Sequence, residues 1–308
     1  MLRLENILFA QDFSSGSDHA LPYALDLADR TGATLHLVYA EVLYGQPFDS
    51  EKESPVQREQ IREHLEKHPA GVPEHRVVRE VVRGMAVAPA LLRYAEEHDV
   101  DLVVMGTHGR RGIERAVIGS VAEEVVRHAA CPVLTVRQRK EPPGEGRVTS
   151  VLVPVDFSSH SREALRYARE LAASYEAGLT LLHVVEETLH PAFYGPALRS
   201  IYDAIPDIED QAVAELERFF GETEGADVAA RFVARPGRAA SAIADHAEEE
   251  GHDLIVMATH GRTGVERFLM GSVAEKVVRR APCPVFTVKS FGKSLLPPPS
   301  TTARTEGS

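Results

Sequence analysis

The sequence predicts an α/β protein made of two tandem, open, doubly wound, mainly parallel five-stranded sheets with helices on both faces. Three observations carry this. The chain has 308 residues, about twice a common domain size of ~100–150 residues. Its second half repeats its first. Within each half, short apolar runs alternate with stretches of helical periodicity, the pattern of parallel strands joined by right-handed crossover helices.

The repeat is direct. Residues 106–137 align with 258–289 at an offset of 152, and 21 of the 32 positions are identical. Residues 7–28 align with 151–172 at an offset of 144, with 12 of 22 identical. The change in offset means a net insertion of 8 residues in the second half, assigned to the long connection around 186–207. A period near 150 is too long for a solenoid and reads as a duplicated domain. The expected boundaries are a first domain at 1–138, a linker at 139–147, a second domain at 148–290 and a tail at 291–308. Residues 138–147, QRKEPPGEGR, hold two prolines, two glycines, five charges and no apolar residue. The tail, FGKSLLPPPSTTARTEGS, has a proline run and little apolar content, and is expected to be disordered.

The elements follow in matched pairs. Strands are expected at 6–10 and 150–155, then helices at 16–31 and 160–175, and strands at 35–40 and 179–185. Helices at 52–68 and 207–222, strands at 76–82 and 228–234, and helices at 86–98 and 238–250 come next. The runs DLVVM (101–105) and DLIVM (253–257) are near-continuously apolar, which fits strands covered on both faces. A glycine loop, a helix (120–129, 272–280) and a last strand (132–136, 284–288) end each half. The last strands would be sheet edges. Both are apolar and β-branched, so antiparallel pairing of the two within one chain is expected to cover them.

Composition narrows the function. Apolar residues make up 44% and charged residues 26%, ordinary for a globular chain and unlike a disordered or fibrous one. No run approaches the ~20 apolar residues of a membrane span, and the N-terminus lacks the pattern of a signal peptide. The net charge of −12 disfavours nucleic acid or an anionic membrane as the main partner. Two cysteines cannot form a disulfide scaffold, so a cytoplasmic setting is expected.

Ligands of open α/β sheets bind beyond the carboxyl ends of the strands, where strand order reverses. Three features fall there in each half. Asp12 and Asp156 close the first strands, and a carboxylate there can accept hydrogen bonds from ribose hydroxyls. Ala40 and Val184 end the second strands. After strand four come Gly106, Gly109 and Gly119-Ser120, matched by Ala258, Gly261 and Gly271-Ser272. Gly109 and Gly261 would let backbone approach a ligand. Gly119-Ser120 and Gly271-Ser272 open helices, whose free N–H groups and positive dipole ends suit phosphate. Arg110 and Arg262 stand beside the loop. The bland alternative is a turn shaped by glycine and a helix capped by serine. Duplication of the whole pattern, with an aspartate in the right strand each time, favours a nucleotide.

These residues resemble the universal stress protein family, of the ATP-binding type. The likeness rests on VDFS at Val155 to Ser158 (QDFS at Gln11 to Ser14), LLHV at Leu181 to Val184, the G-x2-G-x9-G-[ST] loop and the VAE-x-VVR helices. It covers nearly all of residues 3–290. The resemblance implies an adenine nucleotide alpha hydrolase-like fold whose last strands pair antiparallel, with a homodimer as a further option. It implies a site for ATP, ADP or AMP, with Mg²⁺ entering on the nucleotide. Asp12 or Asp156 would hold ribose, the Ala40 or Val184 backbone would meet adenine, and Gly106, Gly109, Ala258 and Gly261 are the matching residues after strand four. Phosphate would fall on Gly109, Gly119 and Ser120, or on Gly261, Gly271 and Ser272. The implied role is a stress sensor or regulator. The alternatives are a slow ATPase or phosphotransferase using the same pocket, and an interaction module without nucleotide. This chain departs from the pattern at Ala10-Gln11 against Pro154-Val155, at Tyr39 against His183, and at Ala258 in place of glycine.

Other candidates have plainer readings. His108 and His260 read as loop residues, and His64 and His68 as a solvated helix face without a third ligand. Cys131 and Cys283 read as small buried apolar residues. Glu123-Glu124 and 248–250 read as solvated helix faces. Tyr44, Phe48, Phe193 and Tyr194 could cover a ligand or pack on their own domain. No Walker A loop, nucleophile elbow or paired carboxylates appear, so no catalytic residue is assigned.

Overall fold

The computed structural model describes residues 2–42, 63, 72–107, 118–138, 146–186, 205–260, 270–289 and 294–296. Half 1 holds β1 (Asn6–Gln11), α1 (Ser15–Thr31), β2 (Thr34–Val42), a 3₁₀ turn (Glu74–Arg76), β3 (Val77–Gly84), α2 (Val87–Glu97), β4 (Leu102–Gly106), α3 (Ser120–His128) and β5 (Val133–Val136). Half 2 holds β6 (Ser150–Pro154), α4 (Ser159–Tyr175), β7 (Gly178–Val185), α5 (Ile208–Gly221), β8 (Ala230–Pro236), α6 (Ala239–Glu249), β9 (Leu254–Ala258), α7 (Ser272–Arg280) and β10 (Val285–Val288). Of the helix expected at 52–68 only Glu63 is described, as helical, and residues 139–145 of the linker lie outside the described residues.

Local chemistry sets the element ends. Ser14 opens α1, its Oγ accepting the Ser17 amide at 3.3 Å, and Gly32 closes it at φ +76°. Ser158 opens α4 in the same way, accepting the Ser161 amide at 3.1 Å. Such caps contribute about 1 kcal/mol each. Asp101 and Asp253 tie the strand starts together. Asp101 Oδ2 accepts the Glu5 and Asn6 amides at 2.7 and 3.0 Å, and Asp253 Oδ2 accepts those of Thr149 and Ser150 at 2.9 and 3.2 Å.

Strands run parallel within each half, in the orders β3-β2-β1-β4-β5 and β8-β7-β6-β9-β10. The chain lays β1, β2 and β3 outward, then returns to add β4 and β5 on the other side of β1. Strand order therefore reverses between β1 and β4, and likewise between β6 and β9. One face is covered by α1, α4 and α5 over a core that includes Phe9, Leu37, Leu165 and Phe286. The other is covered by α2, α3, α6 and α7 over Leu8, Leu91, Val125, Ile243 and Val277.

The two sheets are one. β5 and β10 pair antiparallel, Thr135 opposite Val285, Leu134 opposite Phe286 and Val133 opposite Thr287, giving ten continuous strands. The threonine hydroxyls add to the seam. Thr135 Oγ1 donates to Val285 O at 3.2 Å and Thr287 Oγ1 to Val133 O at 3.0 Å. Lys289 Nζ reaches the Arg127 carbonyl at the end of α3, at 2.8 Å. Both apolar layers run across this seam.

The tail departs from its expectation of disorder at residues 294–296. Leu295 is fully buried, its amide donates to the Tyr167 hydroxyl at 3.0 Å, and its carbonyl accepts the Arg3 amide at 2.8 Å. Two leucines in a polar tail supply the apolar surface that binds it to the core.

The amino edge of the sheet buries histidines. His36 lies between the Tyr94 hydroxyl (2.8 Å) and Asn6 Oδ1 (3.3 Å). In half 2 the His246 and His252 rings stand 5.5 Å apart. Burial lowers the pKa of all three, helped by His98 at His36, by the Arg235 guanidinium at His246 and by His246 at His252.

Two outcomes follow from this architecture. Thr287→Pro removes an amide from the seam and leaves its acceptor unmet, a loss of about 1–3 kcal/mol, and a denaturant melt should show the lower midpoint. The unfolded chain takes up protons that the buried histidines refuse, so their contribution is intact above the ordinary histidine pKa of ~6.5 and is lost as pH falls below it. Urea midpoints should drop from pH 7.5 to 5.5, and His246→Asn with His252→Asn should flatten that slope.

Candidate functional site

The parallel register assembles the site at the carboxyl edge. Gln11 pairs with Tyr39, so Asp12 leaves β1 beside Ala40, which lies within β2 and not at its expected end, because pairing with β3 carries the strand on to Val42. Ala10 pairs with Met105, which brings Gly106 level with Gln11 across the gap where strand order reverses. In half 2, Pro154 pairs with Leu182 and the Val155 amide donates to Leu182 O at 2.8 Å, so Asp156 and Val184 stand in the same relation. Ala258 ends β9 as Gly106 ends β4. Neighbouring strands lie ~4.8 Å apart, so one small ligand spans each trio.

The aspartates are oriented by their own turns. Asp12 Oδ1 accepts the Ser14 amide and hydroxyl at 3.0 and 2.6 Å, and Asp156 Oδ1 accepts those of Ser158 at 3.1 and 2.6 Å. Between them Phe13 and Phe157 take left-handed backbone, at φ +58° and +62°. Such a conformation costs a non-glycine residue about 1–3 kcal/mol and persists only where packing holds it. Phe13 stacks on Tyr39 with ring centroids 5.3 Å apart, and Phe157 meets His183 at 4.6 Å.

The glycine loops end on open helix termini. The Gly119 amide donates to Thr107 O at 2.7 Å and the Gly271 amide to Thr259 O at 2.8 Å, which docks the starts of α3 and α7 against the ends of β4 and β9. Gly119 and Gly271 are the cap residues, and among the described residues no side chain caps either helix. Ser120 and Ser272 are exposed first-turn residues, so the bland reading of these serines as caps does not hold. The orphan amides of the first turn and the helix dipole are therefore presented to an anion. The capped starts of α1 and α4 offer no such opening.

Gly106 is required by packing. A Cβ there would stand 2.7 Å from the Gly16 carbonyl carbon in α1. Half 2 has Ala258 at this position and His160 at the counterpart of Gly16. The His160 ring lies 6.2 Å from that of His260, whose Nδ1 is 3.1 Å from Thr259 Oγ1.

Gly109 and Gly261 lie outside the described residues, together with His64, His68, His108, Arg110, Arg262, Tyr44, Phe48, Phe193 and Tyr194. Cys131 and Cys283 are buried and form no disulfide, and burial pushes the Cys131 thiol up to about 12, with Asp101 adding to the effect. A thiol held protonated is a poor nucleophile. No group of three or more potential metal ligands occurs among the described residues, nor any helix long and apolar enough to cross a membrane. The left-handed phenylalanines and the contact from Gln11 to the turn were not legible in the sequence. The shared DFSS string marked their place without revealing their backbone.

The fold defines a tandem α/β protein with a candidate site at each switch point. The universal stress protein family profile matches residues 3–137 and 148–289, and the chain belongs to that family, in two copies. A universal stress protein of Methanocaldococcus jannaschii is 33% identical over 149 residues, covering 47% of this chain and 85% of the relative. The protein YxiE of Bacillus subtilis is 31% identical over 145 residues, covering 45% of this chain and 97% of its own length. Among solved structures, a universal stress protein from Archaeoglobus fulgidus shares the fold with a TM-score of 0.63 at 21% identity, covering 92% of this chain and 98% of that one.

The Gly106 contact yields a stability test. Gly106→Ala should cost about 1–3 kcal/mol, because helix backbone must move to admit the methyl group. Ala258→Gly should cost less, about 1 kcal/mol from strand entropy and a lost methyl. Chemical denaturation of the two variants checks the order.

Proposed function

We propose that the protein binds an adenine nucleotide, ATP in the first instance, and works as a regulator whose state follows that ligand. The observation that carries this is the helix start with glycine at its cap position, and so no capping side chain of its own, near an oriented aspartate at a switch point, built twice in one chain. In this reading the Asp12 or Asp156 carboxylate accepts ribose hydroxyls. The Ala40 or Val184 backbone meets the base edge, and the first turn of α3 or α7 donates to phosphate, with Ser120 or Ser272 adding a hydroxyl. Gly109 and Gly261 allow backbone to approach the phosphates. Mg²⁺ enters with the nucleotide, since a triphosphate carries one. Placement inside the cytoplasm, where such nucleotides are plentiful, belongs to the same proposal.

Binding rather than rapid turnover fits the chemistry. Hydrolysis needs a group that positions water or takes its proton, and the cleft residues named above supply hydrogen bonds and dipoles instead. Turnover should therefore fall below the ~1–10³ s⁻¹ usual for enzymes.

The test is direct. Mass spectrometry of ligand released from denatured protein, with calorimetric titration of the emptied chain, should find adenine nucleotide. Asp12→Asn together with Asp156→Asn keeps the turn acceptor but removes the charge. It should weaken affinity roughly ten-fold or more, the scale of a hydrogen bond to a charged group. Failure of any adenine nucleotide to bind at millimolar concentration overturns the reading.

A further inference from the structure

We propose that the two clefts are unequal, that the second is the tighter, and that Gln11 makes the difference. The inference rests on the nucleotide reading above and goes further by assigning a role to a residue outside the family pattern.

The duplication lets one half serve as the reference for the other. The turn after β1 and the turn after β6 share their conformation, with left-handed Phe13 and Phe157 and the same aspartate-to-serine hydrogen bonds. They differ in what meets the turn amides. In half 1 the Gln11 side chain, 3% exposed, folds over so that Oε1 accepts the Asp12 amide at 3.0 Å and the Phe13 amide at 3.1 Å. Two successive amides thus converge on one oxygen, an arrangement that binds anionic and carbonyl oxygens wherever it is left open. In half 2 the residue is Val155, which has no such oxygen. The Phe157 amide has no hydrogen-bond partner among the described residues.

The neighbouring position has changed in step. His183 Nδ1 donates to the Val155 carbonyl at 2.8 Å, whereas the counterpart Tyr39 stacks on Phe13. Pro154 has no amide, and the β6–β9 ladder stops at Leu152 and Ile255, whereas the β1–β4 ladder runs on to Ala10 and Met105. The second turn thereby parts from β9 earlier than the first parts from β4, while the Val155 amide still holds it to β7. The Gln11 carboxamide oxygen stands in half 1 where a ligand oxygen, from ribose or from phosphate, is received in half 2.

Amide-resolved NMR of the full chain tests this at two levels. Without nucleotide, the Phe13 amide should exchange with solvent more slowly than that of Phe157, and Gln11→Val should speed Phe13 alone. On titration with ATP, half 2 should saturate first. Gln11→Val should tighten half 1, and Val155→Gln should weaken half 2. Each change should be about two- to ten-fold, the value of one amide hydrogen bond. Both variants install a residue that the other half already carries at the same buried position. Adenosine and AMP separate the two sources of oxygen. An effect of Val155→Gln that persists with adenosine assigns ribose, and one seen only with phosphorylated ligands assigns phosphate. Equal filling of the halves by ATP, or no response to Gln11→Val, overturns this inference and leaves the nucleotide reading standing. Absence of binding by every adenine ligand overturns both.

Discussion

Three residue pairs hold the molecule together as one object. The antiparallel ladder between β5 and β10 joins two sheets that would otherwise each end in an apolar edge. An exposed edge of valine, leucine and phenylalanine invites pairing with another chain. Here the chain supplies its own partner, and every residue of both strands is buried. The consequence reaches beyond the seam. Once the strands are paired, the helical layers on each face meet across it, and Arg30 of α1 reaches α4, its guanidinium 4.3 Å from the Tyr175 ring centroid and donating to Ser174 O at 3.1 Å. The docked leucines at 295 and 296 and the amino-terminal Leu2 and Leu4 join the same apolar layer.

The seam also governs the clefts indirectly. β5 and β10 flank β4 and β9, whose ends carry the glycine loops. Thr107 and Thr259 donate their amides to Val136 O and Val288 O at 2.9 and 3.0 Å. The same threonines accept the Gly119 and Gly271 amides through their carbonyls. The start of each open helix is therefore fixed by a short chain of hydrogen bonds that begins on a seam strand. A ligand held at such a helix start is held by the rigid centre of the molecule, where rigidity keeps dipoles aimed without reorganisation.

Much of this could be read from residues alone, and the reasons are local. The period of apolar residues, the duplicated glycine spacing and the aspartate ending each first strand are properties of short segments, and they placed the strands and the switch point. What could not be read depends on three-dimensional neighbours. Leu295 and Leu296 sit in a segment whose composition argues for disorder, and only the groove beside Tyr167 explains their burial. Ser120 and Ser272 look like caps in sequence, but the helix begins one residue earlier, at glycine. Phe13 gives no sign in sequence of its left-handed backbone, because strain of this kind is imposed by the packing around it. Gly106 reads in sequence only as part of the glycine loop. The structure shows instead that the residue is small because α1 lies against it.

Duplication followed by local change explains the pattern of likeness between the halves. The elements that build the seam and the open helices are nearly the same in both, since each is constrained by its own copy across the pseudo-two-fold axis. The turns at the strand ends face the cleft and carry no such mutual constraint, so they have diverged in matched groups. Gly16 with Gly106 stands against His160 with Ala258, and Gln11 with Tyr39 against Val155 with His183. Each group is self-consistent. A close helix needs a glycine at 106, and a buried carboxamide meets the Phe13 amide whose counterpart at Phe157 has a valine before its turn. Coupled changes of this kind keep both halves folded while altering what each presents to a ligand. A tandem chain can therefore hold two sites of different strength on one rigid sheet, a property that a symmetric pair of identical single domains cannot have without breaking its symmetry.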